Sequence, residues 1–328
     1  MQQIFMTSNY RSGVMLLTKM LSANSKVSIG SSVINYFRFY YNNKKFHPIK
    51  KKYRQVINDA CDRLKKRQNI IIDKKNCLDH IKEKGISHKN LIQILNFELY
   101  KKFNPKIIGE AETNAWRSIP PFFKMFPNSK VIIVLRDPRD ILCSFKKLTI
   151  SKKNNYLISI FNCLDLINNT WKLKAKYKKR IIVIKFNEFK KNKTKIIKSI
   201  CKRLNLKFEK RMLNENSFLD LKGKRWDTNY SYTFKNNLQK KTINRWKKII
   251  SPEDLYLCEM ILKKQIKSLG LKLSNKKFTK QNIYDAEKKV SESNLILDSY
   301  NHWKKTGQGN DKFPLDPLDP KTWRDNKR

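Results

Sequence analysis

The loop Arg11-Ser12-Gly13 separates a short apolar run, residues 4–6, from an apolar helical pattern that begins at Val14. Where a strand leads through a loop into a helix, backbone N–H groups and the helix dipole point at one spot and favour an anion. Gly13 allows close backbone approach, and Arg11 adds a full charge with forked donors. The GxxxxGK[ST] motif is absent, which argues against a kinase or ATPase. The loop predicts an anion site, with an ordinary strand–helix turn and a surface arginine as the alternative.

A second candidate anion site follows the apolar run of residues 131–135. Arg136 ends this run, and Asp137 and Pro138 are typical N-cap and first-turn residues of a helix. Ser144 lies one to two turns into that helix, so its hydroxyl and the arginine can converge on a phosphate. Ligands bind at the carboxyl ends of strands in open α/β sheets. Helix capping in any protein explains Asp137 and Pro138, but it does not explain an arginine at a strand tip.

The elements that would position these residues alternate between strands and helices. Short β-branched runs at residues 4–6, 107–108, 131–135 and 181–184 are typical of buried parallel strands, and residues 70–72 are a weaker candidate. Apolar stripes indicate helices after Gly13 and near residue 200, and a longer helix begins after Ser251 and closes at Gly270. This alternation predicts an α/β fold of three layers, with a mostly parallel central sheet and helices on both faces.

Two segments depart from the alternation. Residues 23–106 predict a mostly helical insertion within a main α/β domain of residues 1–270. Residues 271–328 lose regular periodicity and predict an irregular C-terminal extension. The end of the chain, residues 313–320, carries a proline at every third position, which excludes helix or central strand and predicts an extended tail.

Composition limits the classes of protein. The chain has 328 residues, 40% of them hydrophobic, which is enough to bury a sizeable core. No run approaches the roughly 18 apolar residues of a membrane span, and the start shows no basic-then-apolar leader. The six cysteines are scattered without zinc spacing, a pattern that suits a reducing compartment. We therefore expect a cytoplasmic protein without a transmembrane segment.

The net charge of +46 comes from 73 Lys+Arg against 27 Asp+Glu. Only 15 of the cations are arginine, and the lysines are spread over most of the chain. One interpretation is a surface for nucleic acid or another polyanion. The other interpretation is that exposed positions without a specific role are mostly occupied by lysine and asparagine. Either surface attracts phosphorylated or sulfated ligands at low salt, non-specific polyanions included.

The two anion sites together resemble those of the sulfotransferase family, which uses 3′-phosphoadenosine 5′-phosphosulfate (PAPS). Residues 11–17 are similar to the family's 5′-phosphosulfate loop, and residues 136–144 match the spacing of its 3′-phosphate motif. Residues 184–189, 223–229 and 245–253 resemble three further family segments in the family's order. The resemblance covers residues 4 to about 270. It implies a P-loop-like sulfotransferase architecture and a transferase with PAPS as donor substrate and no metal.

The resemblance also implies which residues bind the donor: Arg11, Ser12, Gly13, Val14, Met15, Arg136, Ser144, Phe186, Lys222, Gly223 and Lys224. Three of them depart from the family pattern: Phe186 replaces its usual tyrosine, and its two loop threonines are Val14 and Met15 here. Two hydroxyl donors to the 5′-phosphate are thereby lost, and backbone N–H groups and Arg11 would hold it more weakly. Lys222 and Lys224 would supply charge to the 3′-phosphate.

Sulfuryl transfer to an alcohol needs a base for the acceptor hydroxyl and positive charge at the leaving phosphate oxygen. The resemblance assigns the second task to Arg11. None of the four histidines falls at the family's catalytic-histidine position, whereas carbohydrate-type members use a glutamate near the end of the strand that precedes the 3′-phosphate strand. Glu110 is the first candidate for this base and Glu112 the second. The alternative is that both are loop carboxylates that pair with surface lysines.

The aromatic stretch at residues 36–41 contains Arg38 and lies in the insertion, where acceptor specificity would reside. It suits the stacking of a sugar or the binding of a sulfated or phosphorylated acceptor, or it packs an aromatic helix face on the core. The sequence thus predicts sulfuryl transfer from PAPS to a hydroxyl or amine of a sugar, glycolipid or small molecule. A basic nucleic-acid-binding protein and a sulfotransferase-like protein without catalysis are the alternatives.

Overall fold

The structure is a computed structural model that describes residues 1–147, 154–226 and 243–313. Within these ranges five short strands form one parallel sheet in the order β2-β3-β1-β4-β5. The strands are β1 (Gln2–Ser8), β2 (Val27–Ser31), β3 (Ile107–Thr113), β4 (Lys130–Leu135) and β5 (Ile181–Lys185). Because every pairing is parallel, the carboxyl ends of all five strands lie along one edge of the sheet.

Helices cover both faces of this sheet. They are α1 (Val14–Ser22), α2 (Ile49–Gln68), α3 (Lys74–Lys84), α4 (His88–Tyr100), α5 (Ile119–Met125), α6 (Pro138–Lys146), α7 (Ile158–Tyr177), α8 (Phe186–Lys191), α9 (Lys193–Leu204), α10 (Trp246–Ile249), α11 (Pro252–Ser268), α12 (Lys280–Ser291) and α13 (Asn294–Thr306). Ile4 and Met6 of β1 pack with α1 and α9 on one face, and Phe5 packs with α4, α5 and α7 on the other. The expected three-layer α/β fold is confirmed.

Two expectations about the first hundred residues need correction. Residues 70–72 are not a strand: they connect α2 to α3, with Ile71 exposed and only Ile72 buried. Residues 23–106 are not wholly an insertion, because β2 within them pairs with β3 at the sheet edge. The helical part therefore starts after β2, and it begins with a short π-helical turn, Phe37–Tyr41.

The expectation of an irregular segment beyond residue 271 is wrong. Helix α12 starts with a capping box in which the Thr279 hydroxyl accepts from the Asn282 backbone N–H and the Asn282 side chain accepts in return. Helix α13 ends at Gly307, whose left-handed backbone closes it. Few residues of these helices are buried, Val290 and Ile296 among them, which explains the weak periodicity. The proline-rich tail beyond Phe313 lies outside the described residues.

The segment that follows α13 runs along α7 towards the carboxyl edge of the sheet. Gly309 lies so close that a Cβ there would come within 2.1 Å of the Phe161 carbonyl oxygen. The Asn310 N–H donates to the same carbonyl at 3.3 Å, and the Asn162 amide donates to the Lys312 carbonyl at 2.9 Å. These contacts bring the end of the described chain next to the loop after β1.

A search of the described helices for one long and apolar enough to cross a lipid bilayer finds none.

Candidate active site

The loop between β1 and α1 has the strained backbone of a close-approach turn. Arg11 and Gly13 both have left-handed φ angles, 66° and 89°. A Cβ on Gly13 would lie 2.1 Å from Cε2 of Phe186, so only glycine fits between the loop and this ring. The Ser12 hydroxyl is buried and has no hydrogen-bond partner among the described residues. A buried hydroxyl of this kind suits a ligand that accepts a hydrogen bond from it.

Arg11, Arg136 and Ser144 meet at the carboxyl edge of the sheet. The Arg136 guanidinium donates to the Arg11 carbonyl at 2.7 Å, and Arg11 Nε donates to Ser144 Oγ at 3.0 Å. Arg136 follows the last residue of β4, which lies beside β1 in the sheet. The two sites that the sequence placed more than a hundred residues apart therefore form one continuous surface.

Only the first residue of the stretch 136–140 faces this surface. Asp137 caps α6 by accepting from the Arg139 N–H, and it also pairs with the Arg139 guanidinium. That guanidinium is buried against Glu259 and the Trp246 ring. Asp140 accepts from the backbone N–H of Trp246 at 3.1 Å. These residues fix α6 on α10 and α11, which positions Arg136 and Ser144.

The Phe186 ring and a further cation, Lys190, lie near Arg136. Its guanidinium carbon lies 4.8 Å from the centre of the Phe186 ring, at the start of α8. The pKa of Lys190, on the same helix, is lowered to about 8, mainly by burial and also by the charges of Lys193 and Arg136, while Glu215 opposes them. The neighbouring like charges disfavour the charged form of Lys190, and an anionic ligand would favour it. Lys190 was missed from the sequence because it follows Phe186 by four residues in a lysine-rich stretch.

The turn that carries Lys222, Gly223 and Lys224 is organised by Asp220. Its carboxylate accepts from the backbone N–H groups of Lys222 and Lys224 at 2.8 and 2.9 Å. All three predicted residues are exposed, and the chain before the turn rests on α1, where Lys19 donates to the Leu219 carbonyl at 2.9 Å. The structure records no contact that would bring the turn to Arg136 within the described residues. Residues 227–229 of this motif lie outside those residues.

Val14 and Met15 form the first turn of α1. Val14 is buried in the apolar layer that includes Ile4 and Met6, and Met15 is half-buried. Neither side chain can donate a hydrogen bond. An anion here would depend on the backbone N–H groups of the helix start and on Arg11 and Ser12.

The two candidate bases lie side by side on β3, and both are buried. Glu110 accepts from the backbone N–H groups of Ile34 and Asn35 at 2.6 and 2.7 Å. Glu112 accepts from those of Phe37 and Arg38 at 3.2 and 3.3 Å. Neither carboxylate is therefore a loop group paired with a surface lysine, and together they hold the chain segment of residues 34–38 against the sheet.

Burial raises the pKa of both carboxyl groups. The pKa of Glu110 rises to about 7, and that of Glu112 rises well above its usual range, with the neighbouring Glu110 adding to the effect of burial. Glu112 pairs in register with Thr7, one residue from the end of β1, whereas Glu110 pairs with Phe5. Glu112 is thus closer by two residues, about 6.6 Å along the strand, to the predicted donor loop, residues 9–13 between β1 and α1.

Asn114, the residue after β3, is a candidate binding residue that was not predicted from the sequence. Asn114 is 5% exposed and has a left-handed φ of 54°. Neither its amide nitrogen nor its oxygen has a hydrogen-bond partner in the described structure. Its backbone N–H donates to the Ser8 carbonyl at 2.9 Å, directly before the donor loop. Unpaired buried amides are costly, so this side chain suits a bound substrate.

The aromatic stretch divides into two parts. Tyr36, Phe37, Phe39 and Tyr40 are buried in the core, as the packing interpretation predicted. Arg38 instead turns towards the donor loop, where it donates to the Tyr10 hydroxyl at 2.6 Å.

Groups of three or more His, Cys, Asp or Glu side chains arranged to hold a metal ion were sought in the described ranges, and none is present there.

Comparison with known proteins agrees with this architecture. The family model described as "Sulfotransferase family" matches residues 3–210. The fold is similar to the sulfotransferase domain from the curacin biosynthetic pathway, with a TM-score of 0.57 and 17% identity over 83% of this chain and 99% of that one. It is also similar to the sulfotransferase domain of the Synechococcus PCC 7002 olefin synthase, with a TM-score of 0.54 and 15% identity over 81% and 94% of the two chains. No curated protein sequence gives a significant match. Since the family model covers more than half of the chain, the protein belongs to the sulfotransferase family.

Proposed function

We propose that the protein transfers a sulfuryl group from PAPS to a hydroxyl or amine of a carbohydrate, glycolipid or small molecule. The observation that carries the proposal is the convergence of Arg11, Arg136 and Ser144 at one sheet edge, through contacts of 3.0 and 2.7 Å. Two phosphate sites that open on the same surface match a ligand with phosphate at both ends of an adenosine.

The residues around this edge fit the donor. The N–H groups at the start of α1 and the buried Ser12 hydroxyl would hold the 5′-phosphosulfate, and Arg11 would neutralise charge on the leaving phosphate oxygen. Arg136, Ser144 and Lys190 would hold the 3′-phosphate, whose charge relieves the repulsion among the cations there. PAPS itself supplies an activated sulfuryl group.

The sheet order supports an acceptor position on the opposite side of the donor loop. With the 3′-phosphate at the end of β4, the sulfuryl group at the other end of the donor would point towards β3, on the other side of β1. In an in-line displacement the acceptor oxygen attacks sulfur as the sulfur–oxygen bond to the 5′-phosphate breaks, and the acceptor proton passes to a base. We assign the base to Glu112, the carboxylate closer to the loop, with Glu110 as the alternative. The unpaired amide of Asn114 would bind the acceptor hydroxyl or a sulfuryl oxygen.

The thiols agree with the reducing cytoplasm as the place of action. All six cysteines are free, and five of them are buried.

Calorimetric titration with 3′,5′-adenosine bisphosphate, the product left by PAPS, tests the donor site. We expect binding that ATP does not match, and a loss of affinity of about 10- to 100-fold in Arg136→Ala, because hydrogen bonds to charged groups contribute about 1.5–3 kcal/mol. Arg54→Ala removes an exposed arginine of α2 and should bind normally. Transfer of ³⁵S from labelled PAPS to an acceptor panel then tests catalysis.

The other outcomes identify the alternatives. No bisphosphate binding, together with tight and steeply salt-dependent binding of duplex DNA, would indicate a nucleic-acid-binding protein. Bisphosphate binding without transfer to any acceptor would indicate a protein that has kept the donor site and lost catalysis, as the loss of both loop threonines would suggest.

A further inference from the structure

Arg38 lies beside the donor loop. Its guanidinium donates to the hydroxyl of Tyr10, the residue directly before Arg11. The Tyr10 ring in turn stacks on Phe145, directly after Ser144, with ring centres 6.1 Å apart. Arg38 is therefore tied to both donor-binding elements while it belongs to neither.

Arg38 forms no close ion pair in the part of the chain that the structure describes. None of the ion pairs found there includes it. Glu112 accepts from the Arg38 backbone N–H and not from its guanidinium, whose charge lowers the pKa of Glu112 against the effect of burial. Arg38 Nε is buried without a hydrogen-bond partner. Among the described residues the one hydrogen bond of this partly desolvated guanidinium is to a neutral phenol, so a bound anion would add a charge-assisted contact.

Aromatic rings hold this guanidinium in one place. The Phe313 ring lies 3.7 Å from the guanidinium carbon, and the Phe39 ring lies 5.3 Å from it. Phe313 also meets Tyr10 edge to face at 6.0 Å. Stacking on aromatic faces leaves the N–H edge of an arginine free to bind a planar or tetrahedral anion in the ring plane.

We propose that Arg38 binds an anionic group of the acceptor, so that the acceptors are hydroxyl compounds carrying a carboxylate, sulfate or phosphate. The inference rests on the proposed function, because it requires the donor to present its sulfuryl group towards β3. The acceptor hydroxyl would then enter between the loop and β3, with its anionic substituent on Arg38. Arg38 acts in this as a specificity residue that touches the acceptor.

Matched acceptors test the proposal. The rate of ³⁵S transfer from PAPS is measured with glucose, glucuronate, glucose 6-sulfate and glucose 6-phosphate at constant ionic strength. We expect a higher kcat/KM for at least one anionic sugar than for glucose. Arg38→Met should lower the ratio of kcat/KM for that anionic sugar to kcat/KM for glucose by about 10- to 100-fold, because one charge-assisted contact is lost. Arg38→Lys should lower this ratio less. The anionic sugar that responds identifies the group.

Two control variants separate acceptor binding from other effects of the substitution. Lys263→Met removes one exposed charge on α11, and it should change the ratio by less than about fivefold, as expected for a distant exposed charge. Tyr10→Phe removes the hydroxyl that Arg38 binds in the structure and leaves the guanidinium. If Arg38 only positions the donor loop, Tyr10→Phe will reproduce Arg38→Met and both sugars will lose activity equally.

The proposal is overturned if glucose is the better acceptor, if no anionic sugar is sulfated, or if Arg38→Met leaves the ratio unchanged. Failure of the underlying function is seen separately, as failure of the wild-type protein to bind 3′,5′-adenosine bisphosphate. An intact bisphosphate affinity in Arg38→Met would show that the donor site of the variant is folded.

Discussion

Replacing Gly13 by alanine should damage both stability and donor binding. The backbone of Gly13 is left-handed, with φ 89° and ψ 11°, and an alanine there costs about 1–2 kcal/mol. The added Cβ would also lie 2.1 and 2.5 Å from two carbons of the Phe186 ring, which is 1% exposed and has no room to withdraw. Overpacking of this kind costs about 1–3 kcal/mol. The expected loss in free energy of unfolding is therefore about 2–5 kcal/mol.

The chain offers a matched control for this prediction. Gly307 has almost the same backbone, with φ 67° and ψ 6°, and a Cβ there would meet nothing within 4 Å. Gly307→Ala thus measures the backbone cost alone, about 1–2 kcal/mol. Urea denaturation gives the loss in free energy of unfolding for each variant. The difference between the two losses is the cost of the contact with Phe186. The double variant Gly13→Ala/Phe186→Leu should recover part of it.

Donor binding supplies the second measurement. The Phe186 ring supports the Arg136 guanidinium at 4.8 Å, so a displaced ring would move the arginine as well. We expect Gly13→Ala to bind 3′,5′-adenosine bisphosphate at least tenfold more weakly in calorimetry, and Gly307→Ala to bind it normally. Equal losses of stability in the two alanine variants, or an unchanged affinity in Gly13→Ala, would refute the close packing of loop, ring and arginine.

Two further predictions concern titration and the base. The pKa of Lys190 is lowered to about 8, mainly by burial. The affinity for the bisphosphate should therefore fall as the pH rises through 8, because the lysine loses its charge. Calorimetry from pH 7 to 9 should show this fall in the wild type and a flatter profile in Lys190→Met. Burial raises the pKa of Glu112 well above its usual range, so kcat should rise with pH as the carboxylate form appears. Glu112→Gln should lower kcat by about 10²- to 10⁴-fold, and Glu110→Gln should lower it less. Circular dichroism should show that both variants are folded. A larger loss of kcat in Glu110→Gln than in Glu112→Gln would assign the base to Glu110.

The donor side of the site could be predicted because its signals are local. A glycine between a strand and a helix, and an Asp-Pro pair after an apolar run, each specify backbone geometry within a few residues. The structure accordingly starts α1 at Val14 and α6 at Pro138, and it starts α11 at Pro252 after Ser251. Parallel pairing then brings the two strand ends to one edge without further information.

The acceptor side could not be predicted because its contacts are long-range. The strand β2 contains two serines and a glycine, and its register on β3 defines it better than its composition does. The sequence indicated neither that Glu110 and Glu112 would hold the segment of residues 34–38 nor that Arg38 would reach Tyr10. Helices α12 and α13 were missed for a related reason, since too few of their residues are buried to produce a clear apolar stripe.

The position of β1 at the centre of the sheet has a consequence for biosynthesis. Its two neighbours, β3 and β4, begin about a hundred residues further along the chain. A ribosome adds roughly 5–20 residues per second, so the nascent β1 waits on the order of 5–20 s before either partner emerges. During that interval an apolar strand with both edges unpaired is exposed to other chains. Yield in the cell should therefore depend on chaperones that shield the first part of the nascent polypeptide.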